Sequence, residues 1–339
     1  MPRFRFISLF LLLLALLSLP SAIISADSSL DPYLIPWEYG SIGETAAAEG
    51  QLHFFFMASE GYRVNYTEGS APEKWGDSCL VVFPNGQTML IDAGMPKYAP
   101  LLIANLRRLG VERLDYLLIS HQHDDHAGAV YTTGGLPDHI EIGQAFYNGV
   151  YNGDWSDPKL LENVLDAHGI PRQEVSAGFT LDIGEVHLQV LSPSADVAGQ
   201  TLFSDPAVNN VSVVLRMDYR DFSALFTGDI YLEKELELVR ECGELLDVDP
   251  LKMPHHGRPT SNSKKFAQAV TPQLAVATGH IGLEAGQYYN YTKLGAKVLF
   301  DYCDGYIHVY TDGAELFREQ SRERETDYYD KYEYENLNR

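Results

Sequence analysis

The segment His121-Gln122-His123-Asp124-Asp125-His126 places three imidazoles and two carboxylates within six residues. It follows Leu114-Asp115-Tyr116-Leu117-Leu118-Ile119-Ser120, a short apolar run that reads as a buried strand ending in a small polar residue. Donors crowded on one tight turn repel one another or go unsatisfied unless a cation sits among them. Imidazole nitrogen with carboxylate oxygen suits zinc or a similar first-row metal. The chain must therefore fold so that this strand ends in a cleft where other donors can meet it.

Three further strand ends carry candidate donors. Asp92 follows residues 88–91, Asp229 follows residues 223–227, and His255-His256 follow Leu251-Lys252-Met253. Strand ends in a layered α/β structure can open on one cleft, so residues distant in sequence converge there. Asn85-Gly86 marks a hairpin between residues 79–83 and 88–91. Residues 100–110 have helical spacing, with Leu101, Leu102, Ala104, Leu106 and Leu109 on the apolar side. Residues 157–169, 232–242 and 263–270 read as further helices. Strands outnumber helices and fall in two sets with helices between them, the pattern of two packed sheets covered by helices.

Arg3 and Arg5 precede an apolar run over residues 6–19, and Pro20-Ser21-Ala22 and Ile24-Ser25-Ala26 offer small-residue cleavage sites. That is the layout of a secretory signal peptide. The expected division is a signal peptide at 1–26, a linker at 27–50, one catalytic domain at 51–317 and a charged, tyrosine-rich tail at 318–339. The protein is expected to be secreted or extracytoplasmic, with no stable membrane span after cleavage. Cys79, Cys242 and Cys303 form neither a disulfide framework nor a metal motif. With 47 acidic against 25 basic residues the net charge is −22. Nucleic acids are held by basic surface, so no extensive nucleic-acid surface is expected. A small or short anionic substrate remains compatible, because a bound dication reverses the local sign.

Taken together, the HxHxDH pattern His121, His123, Asp125, His126, the earlier Asp92, the later Gly228-Asp229 and the pair His255-His256 resemble the metallo-β-lactamase superfamily. Within it the chain is most similar to the extracytoplasmic domains of ComEC-like competence proteins. Gly76-Asp77-Ser78, Leu90-Ile91-Asp92-Ala93-Gly94 and Leu251-Lys252-Met253-Pro254-His255-His256-Gly257 carry that closer likeness. The resemblance implies an α/β fold, a four-layer αββα sandwich of two mixed β-sheets flanked by helices. It also implies two ions, zinc or manganese. His121 and His123 would hold the first; Asp125, His126 and one of His255 or His256, with His256 favoured, would hold the second. Asp229 would bridge them, Asp125 and Asp229 would serve catalysis, and Asp92 would orient the metal-bearing turn. Lys252, Arg258 and His280 are candidate substrate contacts. Two departures stand out: residues 205–212 lack the further metal-binding histidine common in the superfamily, and residues 62–74 look like an insertion beside the cleft. The activity this implies is hydrolysis of phosphoesters or phosphodiesters by a metal-bound hydroxide. Amide, lactone or thioester hydrolysis on the same architecture is the alternative, and a non-catalytic metal-binding surface module a third.

Overall fold

The computed structural model describes residues 30–58, 75–279 and 285–323. The expected signal peptide, the segment 62–74 and His280 lie outside the described residues. Among the described residues, seventeen strands build three sheets. The first sheet runs β17-β16-β1-β2-β3-β4-β5-β7. Its strands are β1 (Leu52–Phe56), β2 (Cys79–Val82), β3 (Thr88–Ile91), β4 (Arg113–Ile119), β5 (Glu141–Tyr147), β7 (Arg172–Glu174), β16 (Ile307–Thr311) and β17 (Leu316–Gln320). The second runs β15-β14-β13-β12-β11-β9-β8. It comprises β8 (Thr180–Ile183), β9 (Val186–Ser192), β11 (Val214–Tyr219), β12 (Phe222–Phe226), β13 (Pro250–Lys252), β14 (Leu274–Ala277) and β15 (Lys297–Phe300). A two-stranded parallel ribbon joins β6 (Tyr151–Asn152) to β10 (Thr201–Leu202).

Both large sheets are mixed: β2 and β3 pair antiparallel through the Asn85-Gly86 turn, whereas β3, β4 and β5 run parallel. Strand side chains alternate between faces, and here both faces are apolar, so each strand serves two cores. Leu52, Phe54 and Phe56 of β1 enter the layer between the sheets with Phe222, Ala224 and Phe226 of β12. Phe55 points the other way, into the layer beneath α2 (Ala99–Arg108) and α4 (Leu160–Ala167), with Leu102, Leu106, Leu161 and Leu165. On the far side Leu225, Ala275 and Ala277 meet Leu238 of α6 (Leu232–Cys242) and Phe266 of α7 (Lys264–Val270). Three apolar layers thus separate helix, sheet, sheet and helix, the expected αββα order.

Two sequence boundaries need correction. Residues 27–50 are not simply a linker: Ile42–Glu49 form helix α1, whose Ser41 side chain accepts from the Glu44 N–H and whose Gly50 closes it in the left-handed conformation. Ile35, Ile42 and Ala46 bury themselves in the core, and this short alanine-rich stretch gave too few apolar positions to be seen as an element. The boundary at residue 317 falls inside β17, which pairs with β16 through Gln320.

His53 of β1 and His308 of β16 meet diagonally across the two strands, both buried, with His53 Nδ1 3.0 Å from His308 Nε2. Burial lowers His53 to about 4, and burial together with His53 holds His308 well below the usual range. The unfolded chain therefore takes up protons below about pH 6.5 that the folded chain refuses, so stability is present above that pH and lost as it falls towards 4. Between pH 7 and 5 the parent should lose at least ~2 kcal/mol more than a His53→Phe/His308→Phe variant. Urea titrations at the two pH values check this; equal losses would refute a neutral buried pair.

Candidate metal centre

The cleft lies where β3, β4, β12 and β13 end. Directly after β4, Ser120 and residues 121–123 form a turn, and helix α3 (Asp124–Tyr131) begins with the last three members of the cluster, Asp124, Asp125 and His126. Asp92 follows β3 and holds this turn from behind. Its Oδ1 accepts the Ser120 N–H at 2.7 Å, and its Oδ2 accepts the Ser120 hydroxyl and His126 Nδ1, each at 2.8 Å. Asp92 adopts φ 57, a conformation unusual outside glycine that the surrounding bonds must hold.

Those bonds fix the histidine tautomers. Ser120 Oγ gives its proton to Asp92, and Ser212 Oγ gives its own to Asn209 O at 2.8 Å. Both hydroxyls then accept from His121 Nδ1, at 3.0 and 3.2 Å, which leaves His121 Nε2 with a lone pair facing His123 Nδ1 at 3.0 Å. His126 donates from Nδ1 to Asp92, and His256 donates from Nδ1 to Thr278 O at 2.9 Å. Their Nε2 atoms converge on Asp229 Oδ2, at 3.2 and 3.1 Å, and His256 Nε2 also lies 3.1 Å from Asp125 Oδ2. Histidine ligands are oriented in this way by the partner of the other ring nitrogen.

The electrostatics agree with the geometry. Burial alone would depress His126, but the Asp229, Asp92 and Asp125 carboxylates overcome it and raise the imidazole to about 10. His256 is likewise raised despite burial, by Asp229 and Asp77. His121, buried beside two other imidazoles, is lowered. Asp229, although buried, is pulled well below the carboxylate range by His126, His256 and His255. Carboxylates packed against imidazole Nε2 atoms in an almost solvent-free site, where protons now sit that a dication would displace, are the chemistry of a divalent-cation cage, so the donor set fits a metal. His121 Nε2 and His123 Nδ1 make one donor pair; His126, His256, Asp125 and Asp229 make the second.

The structure separates the two adjacent histidines. His255 stacks on Tyr231 at 4.8 Å, its Nδ1 meets Thr260 Oγ1, and its Nε2 stays 3.8 Å from Asp229 Oδ2. His256 alone brings a nitrogen to both carboxylates. Consecutive left-handed residues, φ 47 and 58, make this divergence possible. Lys252 is not placed for substrate: its side chain is 6% exposed and paired with Asp77. Arg258, half-buried, follows the histidine turn. Residues 205–209, where a histidine is lacking, form the short helix α5, and Asp205 Oδ1 lies 3.6 Å from His123 Nε2.

Asp77 was missed as a site residue. It offers an oxygen in a group with His126, Asp229 and His256 whose donor atoms all lie within 4.8 Å of one another. Its only signal in the sequence was Gly76-Asp77-Ser78. Gly76, at φ 86, is required there, since a Cβ would stand 2.1 Å from Asp125 O.

Two helix-covered mixed sheets with a His/Asp cage at their facing strand ends define a metal-binding αββα sandwich. Residues 74–280 match Lactamase_B, the metallo-beta-lactamase superfamily, and the chain belongs to that superfamily. It is 30% identical over 199 residues to ComE operon protein 3 of Bacillus subtilis, covering 58% of this chain and 23% of that protein. To competence protein ComA of Neisseria gonorrhoeae it is 29% identical over 227 residues, 63% of this chain and 28% of that one. The chain thus spans only 23% and 28% of these curated relatives. Among solved structures, the metallo-beta-lactamase fold protein YhfI from Bacillus subtilis aligns with a TM-score of 0.47 and 11% identity, over 79% of this chain and 99% of that one.

Proposed function

We propose that the protein is an exported two-ion phosphoesterase acting on short phosphodiesters or phosphomonoesters. The observation that carries this is the division of donors into two neighbouring sets, His121 Nε2 with His123 Nδ1 and His126 Nε2 with His256 Nε2 and Asp125 Oδ2, with Asp229 Oδ2 against the second. Two bound ions supply a nucleophilic hydroxide near neutral pH and a charge clamp for the attacked phosphorus. The chain's residues set the rest. Asp92, Ser120, Ser212 and the Thr278 carbonyl hold His121, His126 and His256 with Nε2 towards the site, and the proton that His123 Nδ1 shares with His121 Nε2 would leave as an ion entered the first pair. Burial of Asp125 and Asp229 excludes water that would compete for them. His123, with 16% of its side chain exposed, marks the open side of the site, and Arg258 is the remaining described candidate for meeting an anion.

Export is supported by the layout of residues 1–26 and by the likeness to competence proteins. Among the described residues no helix is long and apolar enough to cross a membrane. A phosphodiester is the class that the ComEC-like motifs imply, and the similarity to competence protein ComA agrees with that subgroup. The charge of −22 favours a short substrate over a long polyanion.

Protein loaded with zinc or manganese should hydrolyse a small aryl phosphodiester faster than linear duplex DNA at low salt. The gap should narrow as salt shortens the repulsion towards ~10 Å at 0.1 M. A salt series with both substrates, alongside a lactone and a β-lactam, tests the reading. Preferred turnover of the lactone or β-lactam would replace the substrate class. DNA cleavage that is fastest at low salt would replace the charge argument.

A further inference from the structure

Behind the cage lies a charged pair that the metal roles leave unused. Lys252 ends β13 with its ammonium buried; it pairs with Asp77 Oδ2, donates to Gly228 O at 3.1 Å and stands 3.6 Å from Asp229 Oδ1. Asp77 is as deeply buried. Its N–H donates to Asp125 O at 2.8 Å and its Oδ1 accepts the Thr278 hydroxyl. Its oxygens approach His256 and His126 on their Nδ1 edges, at 3.3 and 3.9 Å, not on the Nε2 edges that gather at Asp229. Asp77 therefore belongs to the rear wall of the cage. An ammonium neutralises it there, so within the donor group that it shares with His126, Asp229 and His256 it stands as the counter-ion of Lys252.

The two oxygens of Asp229 have different surroundings. Oδ2 is ringed by imidazole nitrogens, whereas Oδ1 is buried without a hydrogen bond and faces Lys252. An unsatisfied carboxylate oxygen in a dry interior turns towards whatever cation is within reach. We propose that Asp77 and Lys252 form a positioning pair that keeps Asp229 Oδ1 turned inward, so that Oδ2 alone is presented to the ions. The pair has no net charge, so it orients the carboxylate without subtracting from the site's attraction for cations. Gly228, whose carbonyl Lys252 holds, immediately precedes Asp229, so the same ammonium restrains backbone and side chain. The inference rests on Asp229 as a metal-contacting carboxylate.

The test is zinc binding to the metal-stripped full chain by isothermal titration, with the melting temperature followed in parallel. Lys252→Met alone leaves a buried unpaired carboxylate and should lower the melting temperature. Asp77→Asn/Lys252→Met removes both charges, and buried pairs replaced together are commonly tolerated, so this variant should melt near the parent. It should nonetheless bind zinc about 10–100-fold more weakly, the usual effect of losing a ligand's supporting partner, and lose kcat with little change in KM. A folded double variant that binds zinc like the parent overturns the proposal. Asp229→Asn in the same titration separates the two readings. If it too binds zinc like the parent, the role of Asp229 itself is wrong; if it alone loses affinity, only the positioning role falls.

Discussion

Replacing Asp229 by asparagine should lower turnover by about a thousandfold, roughly 4 kcal/mol of transition-state stabilisation, while the protein stays folded at 25 °C. The substitution keeps the shape of the side chain and removes the negative charge that His126 and His256 both approach within 3.2 Å. Steady-state rates on an aryl phosphodiester, with circular dichroism on the same samples, check it. Turnover within about threefold of the parent would mean that Asp229 does not act on the reacting centre.

The second large effect is expected at Asp92. Asp92→Asn cannot satisfy its neighbours, because every contact its two oxygens make is with a donor: the Ser120 N–H, the Ser120 hydroxyl and His126 Nδ1. An amide NH₂ must oppose one of them. If it turns to His126, the imidazole places its proton on Nε2 and loses the lone pair that faces the cage. If it turns to the Ser120 N–H, a buried donor is left unpaired, at a cost of about 1–3 kcal/mol. Zinc affinity should fall about 10–100-fold, and the His126 ring signals in nitrogen-edited NMR should report the changed tautomer. An unchanged affinity together with an unchanged tautomer would remove Asp92 from the account.

How much of this was visible in the chain depended on distance along it. The metal-bearing turn was legible because its donors are neighbours, and because Leu114–Ser120 announces the strand that delivers them. Asp92, Asp229 and the pair His255-His256 were legible for a related reason: each follows an apolar run, and strand termini share an end of the sandwich. The choice between His255 and His256 was open in the sequence. Two consecutive left-handed residues send the rings apart and leave His256 Nε2 against Asp125 and Asp229. Lys252 was read as a substrate contact because a lysine beside a histidine pair at a strand end is well placed to meet an anion, whereas its ammonium is buried against Asp77. Its true partner, Asp77, belongs to the other sheet and meets it only once the sheets have packed. His53 and His308 pose the same problem, paired across strands from opposite ends of the domain.

The cage also has a mechanical side. His121, His123, Asp125 and His126 are carried by the first sheet, and Asp229 and His256 by the second. An ion held between them binds only when the sheets are seated on each other, so occupancy adds its binding free energy to the closing of that seam. On the proposed function such an ion would be a rivet as much as a reagent. Without an ion the seam would be easier to open, so the apo protein should be cut faster by a protease than the zinc-loaded protein.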